Sequence, residues 1–518
     1  MVDIVGGETL ASLWDKLAVE CGDKEFFVFE GRDGSKEKYS YREFNIKINQ
    51  AANVFLSRGV TPGERVAIQM HTCPEFLMCM FGLAKIGAIT VPMNEQYLQA
   101  ECEYALDVCK IKRAVIEPCF VELYEQITAA GRLPEGFAVA RTRESEQAGG
   151  RPLFAELLDQ ENETLDQEFE LSADDPCEIL FTSGTTNLPK GVVLTHGNLI
   201  YSGYYGNWET AMTSEDRMFS TMPACHSNFQ LAALTPVLTA RATLIVAEKY
   251  SASHFWEQVR ESRATLAQCV AMMLRTLLLQ PASELDKDHS LRDMLYFLPV
   301  SVREKEEFEE RFNVSLMNTY GSTESVCWVL TDTPCGPRRW PSIGRVGLGY
   351  EAKIVDDEDN ELPAGEVGEI CVKGVPGRSI MLEYVDNEKA TRETLSEDGW
   401  LRMGDKGYYD EDGWFYFVDR KSNMIKRSGE NISTTEIEGV LEEHPSIKEA
   451  AVIGVPDEIR DEAVKAFILP ELGMQITEAE VVEYCEKNMA AFKVPTIIEF
   501  VDDFPRTCSM KIEKKLLR

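Results

Sequence analysis

Apolar residues recur at helical spacing over residues 41–58. The turn Val60-Thr61-Pro62-Gly63 then leads into a strand-like apolar run at 65–70. Residues 76–86 read as a second helix, and 88–92 as the strand that follows it. The stretch 76–93 is the most membrane-like in the chain, yet it contains Gly82, Lys85, Gly87 and Pro92. A buried helix running into a strand fits it better than a membrane span. Helix-like and strand-like segments alternate up to about residue 250, which predicts an α/β large domain of doubly wound sheets flanked by helices. Residues 135–175 are polar and acidic and read as a surface connection.

From about residue 343 the texture changes. Short runs at 352–356, 368–373 and 414–418, the last following Asp412-Gly413, predict a β-rich, barrel-like subdomain. Beyond Arg420 the order is helix (434–444), strand (449–454), strand (462–469) and helix (477–489). That makes a compact α+β unit. The expected division is a large domain over 1–420, its β-rich part at about 343–420, and a small domain over 421–518.

A length of 518 residues is too great for one core, which agrees with that division. The formal charge of -34 argues against nucleic acid as a partner, because phosphate backbones are bound by basic faces. Any site for an anionic nucleotide must then be locally basic. The 14 cysteines contain no C-x-x-C pair, and the six histidines show no metal-ligand spacing. Buried, reduced cysteines are expected, and with them a cytoplasmic location. No signal peptide or transmembrane span is predicted, and Lys515-Leu516-Leu517-Arg518 is not a peroxisomal address.

The segment richest in chemistry is Phe181-Thr182-Ser183-Gly184-Thr185-Thr186-Asn187-Leu188-Pro189-Lys190-Gly191. The apolar run 177–181 leads into it and Val192-Val193-Leu194 leaves it, so the whole reads as a hairpin. Glycines let backbone N–H groups converge on an anion, hydroxyls add donors, and Lys190 adds positive charge. A solvated Ser/Thr/Gly turn is the competing reading. A P-loop fails, because Lys190 precedes Gly191 instead of following a glycine and preceding Ser or Thr.

The segment closely resembles the signature of the adenylate-forming enzymes: acyl-CoA synthetases, peptide-synthetase adenylation domains and luciferases. Five further segments resemble that family in the right order. Thr319-Tyr320-Gly321-Ser322-Thr323-Glu324 is similar to Y-G-x-T-E. The likeness implies that Tyr320 stacks on adenine beside Gly321, that Thr323 contacts the α-phosphate, and that Glu324 holds Mg²⁺. Gly399-Trp400-Leu401-Arg402-Met403-Gly404-Asp405 resembles G-W-x-x-T-G-D, with Met403 in place of Thr, and implies that Asp405 holds the ribose. Asp419-Arg420 resembles the end of the large domain, with Arg420 toward the nucleotide and Ser422 at the hinge of a mobile small domain. The loop 426–433, which contains Gly429, resembles the one that approaches the pantetheine of CoA. Pro505-Arg506-Thr507-Cys508-Ser509-Met510-Lys511 resembles P-[RK]-T-x-x-G-K with Met510 in place of Gly, and implies that Lys511 serves adenylation. His226 matches a family P-x-x-H segment, where a gate or pocket wall fits better than a general base.

Longer strings resemble the crotonobetaine/carnitine-CoA ligases: Glu178-Ile179-Leu180-Phe181, Arg339-Trp340-Pro341-Ser342-Ile343-Gly344-Arg345-Val346-Gly347, residues 418–427, and Ala491-Phe492-Lys493-Val494-Pro495. The resemblance implies a ligase that takes ATP, Mg²⁺, CoA and a small trimethylammonium carboxylate. A quaternary ammonium group needs aromatic faces or a carboxylate, since it has no hydrogen to donate. Tyr204, Tyr205, Trp208 and Trp328 are candidates for those faces. A fatty or aryl acyl-CoA synthetase, and a catalytically silent nucleotide-binding regulator, are the alternatives. Homo-oligomerisation stays open.

Overall fold

The computed structural model describes residues 3–129, 131, 135–139, 152–165, 167–182, 189–297, 300–420, 423–427, 430–457, 461–506 and 511–517. Helix Tyr41–Ser57 starts where Ser40 and Glu43 close a capping box, which satisfies two of its first N–H groups. Its face of Phe44, Ile48, Ala51, Ala52 and Phe55 is fully buried. Helix Pro74–Lys85 packs against it, with Gly82 at the crossing. A Cβ at Gly82 would lie 2.9 Å from the Ala51 Cβ, so only glycine lets the helices approach this closely. All of Pro74–Lys85 except Glu75 is buried, as the sequence predicts for a core helix. Lys85 is held inside by the side chains of Asp15, Asn45 and Asn49. No described helix is long and apolar enough to cross a membrane.

Two large sheets share one continuous apolar core with these helices. The first has nine strands in the order Arg345–Val346, Leu330–Thr331, Ser315–Tyr320, Asp293–Phe297, Leu266–Val270, Arg217–Ser220, Thr243–Ala247, Glu25–Glu30 and Lys36–Ser40. Its six middle strands are parallel. The second sheet has the order Glu383–Tyr384, Lys190–Thr195, Pro176–Thr182, Ile89–Pro92, Arg65–Gln69, Arg113–Ile116 and Glu135–Val139. Its last five strands are parallel and its first pairings antiparallel. The fold is α/β with doubly wound sheets, as expected.

The β-rich segment is a four-stranded antiparallel sheet of Glu351–Val355, Gly368–Lys373, Trp400–Tyr409 and Phe415–Arg420. The chain then builds a five-stranded sheet centred on Ile447–Asp457 and Asp461–Pro470, covered by helices Thr434–Glu442 and Glu478–Asn488. Residues 135–175 correct the sequence reading. Within them Glu135–Val139 is an edge strand, and Phe154 of the short helix Phe154–Leu158 is fully buried. Elements this short, flanked by acidic residues, carry too little periodicity to stand out. No disulfide joins the thirteen described cysteines, nine of which are buried.

Candidate active site

The two strands of the predicted hairpin form. Strands Pro176–Thr182 and Lys190–Thr195 pair antiparallel, with Thr182 opposite Lys190. The Thr182 hydroxyl donates to the Lys190 carbonyl at 3.4 Å, and the Tyr104 hydroxyl anchors the Pro189 carbonyl at 3.0 Å. Ser183, Gly184, Thr185 and Thr186 lie outside the described residues. The base of the hairpin nevertheless brings Lys190 to a defined place. Its Nζ sits 4.5 Å from the centroid of the Tyr384 ring.

Tyr384 in turn donates its hydroxyl to Glu324 Oε1 at 2.8 Å. Lys190, Tyr384 and Glu324 therefore form one chain of contacts from the hairpin to the loop 321–325. The Glu324 carbonyl accepts from Met381 N at 2.8 Å, which ties that loop to the same edge of the sheet. Gly321 has no room for a side chain, because a Cβ would lie 2.4 Å from the Cys327 carbonyl oxygen. Thr323 donates to Ser227 Oγ at 3.3 Å and so joins this loop to the segment that carries His226.

One residue before Gly321, the Tyr320 hydroxyl donates to Asp405 Oδ2 at 2.6 Å. Asp405 pairs in register with Arg420 across two strands, and their side chains meet at 3.6 Å. Burial pushes the Asp405 carboxyl up from its ordinary value, while Arg420, Tyr320 and Lys511 pull it down. A carboxylate held this way can accept two hydroxyl donors, as a ribose requires. Asp419 does something different from its neighbour. Its Oδ2 accepts from the N–H groups of Thr434 and Thr435 and from the Thr434 hydroxyl, capping helix Thr434–Glu442.

Lys511 faces this site from the last segment of the chain, where it acts electrostatically on both Asp405 and His226. Burial, and then Lys511, push His226 down to about 4, so the imidazole is neutral near pH 7. The ring is partly buried, and a neutral imidazole is what a gate or pocket wall would present. The His226 segment is braced by Ala224, whose N–H donates to Thr72 Oγ1 at 2.8 Å and whose carbonyl accepts from Gln230 Nε2 at 2.9 Å. Gly429 and Ser422 lie outside the described residues.

The donor set around Glu324 suits Mg²⁺. It offers a carboxylate oxygen and a threonine hydroxyl, all hard oxygen donors, and Tyr384 fixes the carboxylate through its other oxygen. The candidate aromatics on the helix that follows the hairpin do not share one face. Tyr204 donates to Glu8 Oε2, whereas the fully packed Tyr205 donates to the Trp328 carbonyl and lies against Trp208 and Tyr350.

A family model described as AMP-binding enzyme matches residues 14–385, and its companion, the AMP-binding enzyme C-terminal domain, matches residues 436–511. The chain belongs to the AMP-binding enzyme family. A crotonobetaine/carnitine–CoA ligase of Salmonella paratyphi A is 47% identical to it over 517 residues, covering 100% of both chains. Among solved structures, that of the anthranilate CoA ligase AuaEII in complex with anthranoyl-AMP is similar with a TM-score of 0.87 and 26% identity, over 99% of this chain and 96% of that one. ATP-bound MatB from Rhodopseudomonas palustris is similar with a TM-score of 0.86 and 26% identity, over 99% and 98% of the two chains.

Two residues of this AMP-binding enzyme escape a reading of sequence alone. Tyr384 belongs to no motif and meets Glu324 only because its short strand pairs with Lys190–Thr195. Glu178 is buried in the strand that enters the hairpin, and burial pushes its carboxyl up to about 8. Its signals were the string Glu178-Ile179-Leu180-Phe181 and a glutamate inside a mostly apolar strand, neither of which gives its protonation.

Proposed function

We propose that this AMP-forming ligase joins a short betaine acid (carnitine, crotonobetaine or γ-butyrobetaine) to CoA at the expense of ATP, and that it does so in a reducing cytoplasm. The observation that carries the reading is the convergence on residues 320–324 of three groups: Asp405 and Arg420 at one end, Tyr384 and Lys190 at the other, and Lys511 acting from the C-terminal segment. The full-length likeness to crotonobetaine/carnitine–CoA ligases supplies the acid.

In the first half-reaction a carboxylate oxygen of the acid bonds to the α-phosphorus of ATP, and the bond to the bridging oxygen breaks with its electron pair leaving on pyrophosphate. Lys190 and the hairpin hold the departing phosphates, and Asp405 with Tyr320 holds the nucleoside. Lys511 sets positive charge against the oxygens that gain charge as phosphorus becomes five-coordinate, an electrostatic contribution. Mg²⁺ held by Glu324 would neutralise the phosphate oxygens. In the second half-reaction the thiolate of CoA bonds to the acyl carbon and AMP leaves with the electron pair. Neutral His226 is suited to line the way between acid and thiol, since it adds no charge that would repel or trap either one. Trp328, four residues past Glu324 and edge-on to Phe297 at 5.3 Å, is the candidate face for the trimethylammonium group.

The test is thioester formation with the three betaines, hexanoate and benzoate, with AMP and pyrophosphate measured alongside. Turnover confined to the betaines supports the reading. Turnover confined to hexanoate or benzoate would replace the acid and keep the chemistry, and release of ADP would end both. Lys511→Ala should lower ATP–pyrophosphate exchange by at least about 100-fold, the scale of losing one electrostatic transition-state contact. Thioester formation from preformed acyl-adenylate should persist, and equal loss of both halves would refute the role.

A further inference from the structure

The ligase chemistry leaves unused a cluster at the carboxyl ends of the second sheet. His71 follows strand Arg65–Gln69, Glu117 follows the adjacent parallel strand Arg113–Ile116, and Cys119 lies in the turn Pro118–Phe120. From Arg65–Gln69 the chain turns to Ile89–Pro92 on one side and later to Arg113–Ile116 on the other. The crevice outside such a reversal is where open α/β sheets bind ligands. One ligand atom each from His71, Glu117 and Cys119 lies within 4.8 Å of the other two. His71 Nδ1 is 2.6 Å from Glu117 Oε2, and the His71 N–H donates to the same oxygen at 2.9 Å. Phe120 stacks on the imidazole at 5.9 Å and 26°, which fixes the plane of the ring. Glu95, in the loop after Ile89–Pro92, adds negative charge that acts on His71.

We propose that His71, Glu117 and Cys119 form a site for a borderline divalent transition cation of the Zn²⁺ class, separate from the nucleotide site. A mixed set of nitrogen, oxygen and sulfur donors suits Zn²⁺ and its neighbours, whereas Mg²⁺ and Ca²⁺ take oxygen alone. Bond lengths of about 2.0–2.3 Å at a tetrahedral centre set ligand atoms about 3.3–3.8 Å apart. Reaching that spacing means opening His71 Nδ1–Glu117 Oε2 from 2.6 Å by about 1 Å, the cation displacing the proton they share, while Cys119, which is exposed, adjusts within the 4.8 Å that bounds the cluster. Three protein ligands leave one position for water or a solute.

Occupancy would reach the ligase through the next residue. Thr72 accepts from Ala224 N and donates to the Met222 carbonyl at 3.5 Å, so the turn after His71 braces the segment that carries His226. A cation that fixes His71 stiffens that brace. It acts as an effector through that brace.

The test uses the full-length protein, reduced and stripped of metal, titrated with Co²⁺ and then with Zn²⁺. One equivalent of Co²⁺ should give intense tetrahedral d–d bands and a near-ultraviolet thiolate-to-metal band, and Zn²⁺ should displace both. Cys119→Ser should abolish the thiolate band. Cys119→Ser and His71→Ala should each weaken Zn²⁺ binding by at least about 100-fold, since outer-shell losses alone reach 10–100-fold. Cys119→His should retain Zn²⁺ without the thiolate band, and Cys335→Ser, at another exposed cysteine, should change nothing. Binding of less than one Zn²⁺, or spectra and affinity unchanged in Cys119→Ser and His71→Ala, would overturn the site. Hydrogen exchange over residues 222–226 that slows with Zn²⁺ in wild type but not in Cys119→Ser supports the coupling. Identical exchange in the two proteins would overturn it.

Discussion

Glu178 is 1% exposed, and among the described residues no N–H or O–H donates to its carboxylate oxygens or to Gln230 Oε1. Gln230 nevertheless lies within hydrogen-bonding reach of the carboxyl, while its Nε2 is committed to the Ala224 carbonyl. A carboxyl buried with so little donor support is least costly in its neutral, protonated form. Burial pushes the group from about 4.5 up to about 8, in line with that arrangement. A folded value above the unfolded one contributes stability that is fully present below about pH 4.5 and drains away as pH rises to 8. Between pH 5 and pH 8 the loss is about 3.5 kcal/mol, at about 1.36 kcal/mol per unit over most of the range. Glu178→Gln keeps the shape of the neutral carboxyl and removes the titration. For a chain of this length the unfolding entropy is roughly 1.1 kcal/mol per degree, so the variant's Tm relative to wild type should rise by about 3 °C from pH 5 to pH 8. Calorimetry of both proteins in matched buffers measures this. Parallel Tm curves across that range would show that Glu178 titrates alike in both states, and the neutral-carboxyl account would fail.

Tyr384→Phe removes the hydroxyl on Glu324 and keeps the ring under Lys190, so kcat/KM for ATP–pyrophosphate exchange should fall about 10- to 100-fold, the worth of one hydrogen bond to a charged group. A change below about twofold would remove Tyr384 from the site. Arg275 in helix Ala271–Leu278 meets Glu442 of helix Thr434–Glu442 at 3.3 Å, bridging the large core and the C-terminal unit. Glu442→Gln should weaken this arrangement by up to about 1 kcal/mol, or about fivefold, and lower adenylation relative to thioester formation from preformed adenylate. An unchanged ratio of the two half-reactions argues against a latch. Gly321→Ala forces a Cβ to within 2.4 Å of the Cys327 carbonyl, and adenylation should drop by at least about 10-fold, the cost of a 1 Å misplacement or more, with Tm falling less than 3 °C. A fall in Tm without loss of rate would make Gly321 a packing residue only.

What the sequence reveals here depends on whether the chemistry is contiguous. Thr182 and Lys190 sit at the two ends of one hairpin, and Tyr320 to Glu324 form a single strand end and loop, so their grouping needs no knowledge of the fold. Asp405 and Arg420 are legible for the same reason, since a short turn pairs their strands in register. Tyr384 is not, because its two partners come from distant parts of the chain and meet only through the edge strand Glu383–Tyr384. The candidates Tyr204 and Tyr205 part on geometry that the sequence already contained. Residues 204 and 205 are adjacent on a helix and point about 100° apart, so one faces Glu8 while the other enters the core. Asp419 shows the limit from the other side. Beside Arg420 it reads as half of a nucleotide motif, yet its carboxylate caps Thr434 and Thr435. The strand that delivers Arg420 to Asp405 is thus tied by its preceding residue to the first helix of the C-terminal unit. A motif of two letters holds two jobs, Arg420 paired with Asp405 and Asp419 on the joint between the units.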